Sequence, residues 1–155
     1  MLTVALLLSA CGFQLRGDVV IPFRDIFVTA PPGSPIAADV VRKLQQNKIP
    51  MAGAVTKADA HLLISIDRRD KIILSLSGAG RVREFQLQLR VAYQLMDNRG
   101  AVLIPTSEVN LTRIMSFDDA FVLAKAQEEA LLFRDMESDV VQQIVRRLSL
   151  VKRAG

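Results

Sequence analysis

The alternation of apolar and polar side chains is clearest in the middle of the chain. One side of the pattern consists of Phe85, Leu87, Leu89, Val91, Tyr93 and Leu95, and the other of Glu84, Gln86, Gln88, Arg90 and Gln94. A period of two with one polar face predicts an antiparallel strand that is covered on one side only.

Similar but shorter patterns precede this strand. Ile26 to Thr29 is a β-prone run that ends in the breaker sequence of residues 31–35, so we expect a short strand followed by a loop. Residues 60–77 alternate in two parts around the charged run of residues 68–71, which predicts either one strand with an interruption or two short strands.

Turn residues separate the remaining strands. Gly78-Ala79-Gly80 predicts a flexible turn before the clear strand, and Asp97-Asn98-Arg99-Gly100 predicts a turn after it. A further strand is expected from Ser107 to Met115, where Val109 and Leu111 alternate with polar residues.

Two segments have the spacing of helices. The first runs from Pro35 to Lys48, with Ser34 as N-cap and with apolar residues at Ile36, Val40, Val41 and Leu44. The second has one long stripe made of Leu123, Ala126, Ala130, Phe133, Met136, Val140, Ile144, Leu148 and Val151. Acidic residues precede this stripe and Arg146 and Arg147 lie near its end, as the helix dipole favours.

These elements together predict an α+β fold. Two helices packed on one face of a mainly antiparallel four-stranded sheet, a two-layer sandwich, would bury every apolar stripe at once. At 155 residues the chain is the size of one ordinary domain.

Composition limits the chemistry of the chain. With one Cys and one His, His61, it can form neither an internal disulfide nor the usual ligand set of a structural zinc site. We find no catalytic or nucleotide-binding motif, read His61 as structural, and expect a binding module without cofactor or metal rather than an enzyme. The net charge of +4 favours anionic partners such as nucleic acid, acidic lipids or phosphorylated glycolipids, although the scarcity of free aromatic residues argues against nucleic acid.

The amino terminus has the features of a processing signal. Residues 1–10 are uncharged and apolar but too short to span a bilayer, and Leu8-Ser9-Ala10-Cys11 resembles the lipobox of bacterial lipoproteins. The resemblance implies that residues 1–10 are the remnant of a signal peptide, that Cys11 carries diacylglycerol and an acylated amino group, and that residues 11–155 form one lipid-anchored domain. Because Gly12 is not the Asp that signals retention at the inner membrane in such proteins, we expect the outer membrane.

Several short motifs, in this order, resemble one family. They are Cys11-Gly12-Phe13-Gln14-Leu15-Arg16-Gly17, then Arg83-Glu84-Phe85-Gln86, then Phe117-Asp118-Asp119 followed by Leu123-Ala124-Lys125. This pattern is similar to the lipopolysaccharide-assembly lipoprotein (LptE) family. The resemblance implies a complex with the outer-membrane β-barrel LptD, in which the domain faces the periplasm and plugs the barrel lumen, and it implies binding of lipopolysaccharide. A sheet face rich in Gln, Asn and Thr suits a water-lined lumen, but a sheet facing solvent would look the same.

The resemblance also implies where the glycolipid binds. One basic position of the family falls on Lys125, whereas another, in the hairpin turn, is occupied here by Gly78, so Arg81 and Arg83 are the candidates to replace its charge. Ordinary solvated surface arginines would give the same pattern. The alternative function is that of an auxiliary lipoprotein of an ABC-type transporter, whose partner would lie in the inner membrane.

Overall fold

A computed structural model of the chain describes residues 20–152. Cys11 and residues 1–10 therefore lie outside the described residues. The strands are β1 (Ile26–Thr29), β2 (Ala60–Leu76), β3 (Val82–Asp97) and β4 (Val102–Ser116), and the helices are α1 (Pro35–Gln46) and α2 (Val122–Ser149). Two single turns of 3-10 helix, Val55–Lys57 and Asp119–Phe121, precede β2 and α2.

The four strands form one open sheet in the order β1-β2-β3-β4. β1 runs parallel to β2, with Ile26 opposite Ala60, while the β2–β3 and β3–β4 pairs are antiparallel hairpins. The predicted α+β fold with a mainly antiparallel four-stranded sheet and two helices is thus confirmed. The turns predicted at residues 78–80 and 97–100 each join the two strands of one hairpin, β2 to β3 and β3 to β4.

The molecule has two ends, which we call the tip and the base. The tip contains the β2–β3 turn, the adjoining ends of β2, β3 and β4, and the start of α2; the base contains the β3–β4 turn, the Val55–Lys57 turn and the C-terminal ends of both helices. Most of the core lies in the half towards the base, where α1 and α2 cover one face of the sheet, and Leu87 and Met115 extend it towards the tip. Its fully buried members include Ile26, Ile36, Leu44, Leu62, Leu89, Leu95, Met136, Ile144 and Leu148.

Helix α1 begins where the sequence predicts. The Ser34 hydroxyl accepts a hydrogen bond from the backbone N–H of Ala37 (3.0 Å), and Pro35 occupies the first helical position. A carboxylate from the sheet completes the cap, because Asp67 accepts from the Ser34 hydroxyl (2.5 Å) and from the N–H of Ile36 (3.4 Å). β2 thereby fixes the position of α1 on the sheet.

The charged run of residues 68–71 does not interrupt β2. The segment forms a single strand of 17 residues, and its irregularities are register shifts near Ser65 and Leu74. Arg69 and Lys71 lie opposite Leu89 and Leu87 of β3 and so share the face that the helices cover. Their charges are compensated by acidic residues of α2.

The ion pairs to α2 lie on both flanks of the helix. On the β2 side, Arg69 pairs with Glu137, and Lys71 Nζ lies 2.5 Å from Glu129 Oε2. On the β4 side, an Arg113 nitrogen lies 3.5 Å from Asp139 Oδ2. Charged positions that a sequence pattern assigns to solvent thus connect the two layers.

β4 is longer than its alternation predicts. It begins at Val102, five residues before the predicted start at Ser107, and includes Pro105. Proline cannot donate to a ladder, but β4 is an edge strand and so tolerates it.

Helix α2 is confirmed as one continuous element, but its stripe is buried only in part. From Phe133 to Leu148 the stripe packs in the core, whereas Leu123 is 83% exposed and Ala126 and Ala130 are exposed as well. The expectation that the whole stripe is buried is therefore wrong. Over these first turns the side of α2 that faces the sheet is polar instead, because Lys125 donates to Ser116 of β4 and Glu129 pairs with Lys71 of β2.

Candidate functional site

The β2–β3 turn at the tip is closed by its own hydrogen bonds. The N–H of Ser77 donates to the carbonyl of Arg81 (2.7 Å), and the N–H of Gly80 donates to the carbonyl of Ser77 (2.9 Å). The Ser77 hydroxyl also accepts from the N–H of Arg81 (3.1 Å). Gly80 has a φ of +75°, a conformation that costs side-chain-bearing residues energy. The turn thus presents Arg81 in a defined place.

Arg81 and Arg83 are exposed cations that no acidic residue in the described part of the chain compensates. Both side chains are exposed, and within residues 20–152 neither forms an ion pair or a side-chain hydrogen bond. The backbone of Arg83 is fixed, since its carbonyl accepts from the N–H of Phe117 just after β4 (2.7 Å). These two side chains are free to meet an external anion.

Lys125 lies at the same end of the sheet but in a different environment. Its side chain is only 17% exposed, and its Nζ donates to Ser116 Oγ (3.0 Å) and pairs with Glu128 (2.8 Å). Ser116 lies opposite Glu84 in the β3–β4 register, next to Arg83 in sequence. The fold thus brings all three predicted residues to the tip.

Lys71 is a fourth basic residue of the tip that the sequence analysis did not single out. Its Nζ lies 4.2 Å from the ring centroid of Phe85 and 6.0 Å from that of Phe117, while the two rings meet edge to face at 5.1 Å. Counting the β2–β3 register outward from the turn would have placed Lys71 beside Leu87, on the helix side. In the sequence, Lys71 stands out only as part of the charged run of residues 68–71.

Apolar side chains are exposed around these cations. The exposed members at the tip are Ile72, Ile73, Leu74, Leu76, Ile114, Phe121, Val122 and Leu123. Ile72 and Ile114 both lie opposite Gln86, on the sheet face away from the helices. Exposed apolar side chains gathered at one end of a folded domain indicate a binding surface.

His61 lies near the base, far from this patch. Its Nε2 is 2.8 Å from Thr29 Oγ1, its ring centroid is 5.9 Å from that of Phe27, and burial lowers the pKa of the imidazole. Between residues 20 and 152 there is no cluster of His, Cys, Asp or Glu able to hold a metal ion. Over the same range, no helix has both the length and the apolar character needed to cross a membrane.

Comparison with known proteins shows which protein family the chain is similar to. The sequence model of the LptE family, described as lipopolysaccharide-assembly, matches residues 23–148. The LPS-assembly lipoprotein LptE of Photorhabdus laumondii is 30% identical over 99% of this chain and 86% of its own length. That of Pectobacterium atrosepticum is 27% identical over 95% and 82%.

Solved structures agree with the fold. The solution NMR structure of an uncharacterized lipoprotein B from Nitrosomonas europaea superposes with a TM-score of 0.77 at 44% identity, covering 89% of this chain and 90% of that one. The crystal structure of the rare lipoprotein B from Shewanella oneidensis has a TM-score of 0.69 at 19% identity, covering 81% and 93%, and supports the fold alone.

Proposed function

Because the chain belongs to the LptE family of lipopolysaccharide-assembly proteins, we propose that it is a non-catalytic outer-membrane lipoprotein that binds lipopolysaccharide and plugs the LptD β-barrel. In this function it assists assembly of the barrel and meets the glycolipid on its way to the outer leaflet. The observation that carries the proposal is the combination, at the tip, of Arg81 and Arg83, which form no ion pair within residues 20–152, with exposed apolar side chains.

The tip matches the chemistry of a phosphorylated glycolipid. Phosphate groups accept charge-assisted hydrogen bonds from Arg and Lys, and Arg81 and Arg83 have donors to spare. Acyl chains favour apolar surface, which Ile73 and Leu74 offer on the adjoining strand. Lys125 would join the site when its ammonium group leaves the ion pair with Glu128 and bonds a phosphate oxygen instead.

The sheet face away from the helices suits the lumen of a barrel. It carries Gln86, Gln88, Asn110 and Thr112, with the Gln88 amide donating to Asn110 Oδ1 (3.0 Å). Barrel interiors are polar, so such a face can exchange water for lumen side chains at little cost. Near the tip, the exposed apolar side chains of Ile72 and Ile114 would add hydrophobic contacts with the barrel wall.

Attachment to the membrane belongs to the same proposal. Cys11 would carry the lipid after removal of residues 1–10, leaving residues 11–155 as one anchored domain that faces the periplasm. Two or more acyl chains make such anchoring stable. Mass spectrometry of the mature amino terminus should find an acylated Cys11, and an unmodified peptide that begins at Met1 would contradict it.

Neutralising the tip tests glycolipid binding. In a chain with Cys11→Ala, the combination Arg81→Gln, Arg83→Gln and Lys125→Gln should weaken capture of lipopolysaccharide at least tenfold, because each lost charge-assisted hydrogen bond is worth roughly 1.5 kcal/mol or more. The matched control Arg42→Gln, Arg68→Gln and Arg134→Gln removes the same charge away from the tip. Equal capture by both variants would refute the site.

Co-purification tests the partner. The full chain extracted in mild detergent should bring an LptD-type barrel with it, and fractionation should place it in the outer membrane. Recovery with an inner-membrane transport complex would instead support the alternative, an auxiliary lipoprotein of an ABC-type transporter.

A further inference from the structure

The base of the molecule carries cations that no residue of the described chain compensates. The exposed cations there are Lys48, Lys57, Arg99, Arg146, Arg147 and Lys152. Within residues 20–152 none of them takes part in an ion pair; the pairs that form lie elsewhere, apart from that of Arg24 with Asp25.

The carboxylates of the base are occupied by the backbone. Asp25 accepts from the N–H of Asp59 (2.7 Å), and Asp59 accepts from the N–H of Arg24 (3.0 Å). Asp97 accepts from the N–H groups of Arg99 and Ala101, both at 2.8 Å. These carboxylates hold the turns in shape, so they leave the cations facing outward.

The fold assembles this basic surface from segments that are distant in sequence. Asp97 pairs with Ala60, which places the β3–β4 turn next to the turn that carries Lys57. Lys48 lies just beyond the end of α1 and close to Pro50, whose carbonyl accepts from the N–H of Ile26 at the start of β1. α2 starts beside Ser116 at the tip and ends at the base with Arg146 and Arg147.

Compensation of helix dipoles does not account for so many cations. The C-terminal ends of two helices together present roughly one negative charge. Arg146 and Arg147 alone exceed it, and Lys57 and Arg99 lie in turns outside either helix. The remaining positive charge has no partner within the described chain.

Apolar side chains are exposed among these cations. Val55 precedes Lys57 in the same short turn, Val102 follows the turn that carries Arg99, and Leu150 lies between Arg147 and Lys152. Cations interleaved with apolar side chains are typical of surfaces that lie in the headgroup region of an acidic bilayer.

We propose that the base is a membrane-docking face that lies on anionic lipid headgroups. The path of the chain favours a bilayer over an acidic protein as the partner. Arg24, whose N–H donates to Asp59 at the base, follows Cys11 by 13 residues, which span roughly 45 Å at most, so a lipid on Cys11 keeps this part of the base within that distance of the membrane. This last step rests on the proposed lipidation, whereas the charge argument does not. Because docking points the tip away from the leaflet that anchors the chain, it describes the chain outside the barrel, before it becomes the plug.

The experiment uses the chain with Cys11→Ala, so that binding does not depend on lipidation. It should sediment with vesicles of phosphatidylglycerol and phosphatidylcholine but not with phosphatidylcholine alone, and raising the salt concentration should release it. The combination Arg99→Gln, Arg146→Gln and Arg147→Gln should lower the affinity about 100-fold, since each cation near an acidic surface contributes about 1 kcal/mol.

Two further variants keep the outcome unambiguous. Lys48→Gln, Lys57→Gln and Lys152→Gln should cause a similar loss from different elements, which guards against a local folding defect in the first variant. The control Arg42→Gln, Arg68→Gln and Arg134→Gln, with the same net charge, should bind within threefold of the parent chain. No binding to acidic vesicles at low salt, or equal losses in all three variants, would overturn the docking face while leaving the assignment of Cys11 and the tip intact.

Discussion

Glu137 is a buried carboxylate that links the helical layer to the sheet. It is 7% exposed, and its charged partner is Arg69 of β2. Burial raises the pKa of Glu137; the charge of Arg69 opposes that rise, while Asp67 and Asp39 add to it. A glutamate whose pKa is higher in the folded state is most favourable to folding when protonated.

Stability should therefore depend on pH through this residue. The contribution of Glu137 to the free energy of unfolding is fully present below the ordinary glutamate pKa of 4.5 and is lost as the pH rises through the higher folded value. Glu137→Gln does not titrate, so the stability of the parent chain minus that of this variant should fall as the pH rises above 4.5. Urea unfolding at several pH values measures the difference, and a difference that stays constant or grows with pH would contradict this cause.

At the scale of elements, α2 consists of two parts with different environments. Its last four turns bury the apolar stripe against the sheet and α1, whereas its first turns meet the sheet through Lys125 and Glu129 and leave the stripe exposed. The stripe of apolar residues is continuous in sequence, so periodicity alone predicts the whole helix but cannot tell which part of the stripe faces the core. The same limit applies to Ile72 and Leu74, which alternate like core residues and are exposed.

Two leucines of α2 make a matched comparison. Leu148→Ala should lower the free energy of unfolding by about 2–5 kcal/mol, because it removes a fully buried side chain from the core. Leu123→Ala should change it by no more than about 0.5 kcal/mol, since Leu123 is exposed and alanine favours helix. Chemical denaturation of the isolated chain measures both, and a large loss for Leu123→Ala would mean that the start of α2 is packed after all.

At the scale of the whole molecule, exposed cations and exposed apolar side chains occur together at each of its two ends, the tip and the base. The grouping of Arg81, Arg83 and Lys125 came from the family resemblance, since the pattern of elements alone does not bring Lys125 beside a turn more than 40 residues earlier. The base could not be predicted either, since Lys48, Lys57, Arg99 and Arg146 are neighbours only after the sheet has formed and both helices have run in the same direction. Fold class was predictable for the opposite reason: each hairpin joins strands that are adjacent in sequence.

The apolar part of the tip should matter to a barrel partner and not to stability. Ile114→Ser should leave the melting temperature unchanged within a few degrees yet reduce co-purification of the barrel about tenfold, because burial of an isoleucine in an interface contributes about 1.5–3 kcal/mol. Leu131→Ser, also an exposed apolar residue but on α2, is the control that should keep the barrel bound. Equal recovery with both variants would argue against contact at Ile114.

The long β2–β3 hairpin has a consequence for how the backbone moves. Beyond Lys71 it is held mainly by its ladder and by contacts at the start of α2, whereas the base half rests on the core. Local opening should therefore be easier at the tip, and its amide hydrogens should exchange with solvent well before those of Leu62 or Leu95. A partner that orders the tip would slow this exchange without altering the base, so protection measured residue by residue separates what the fold supplies from what the partner adds.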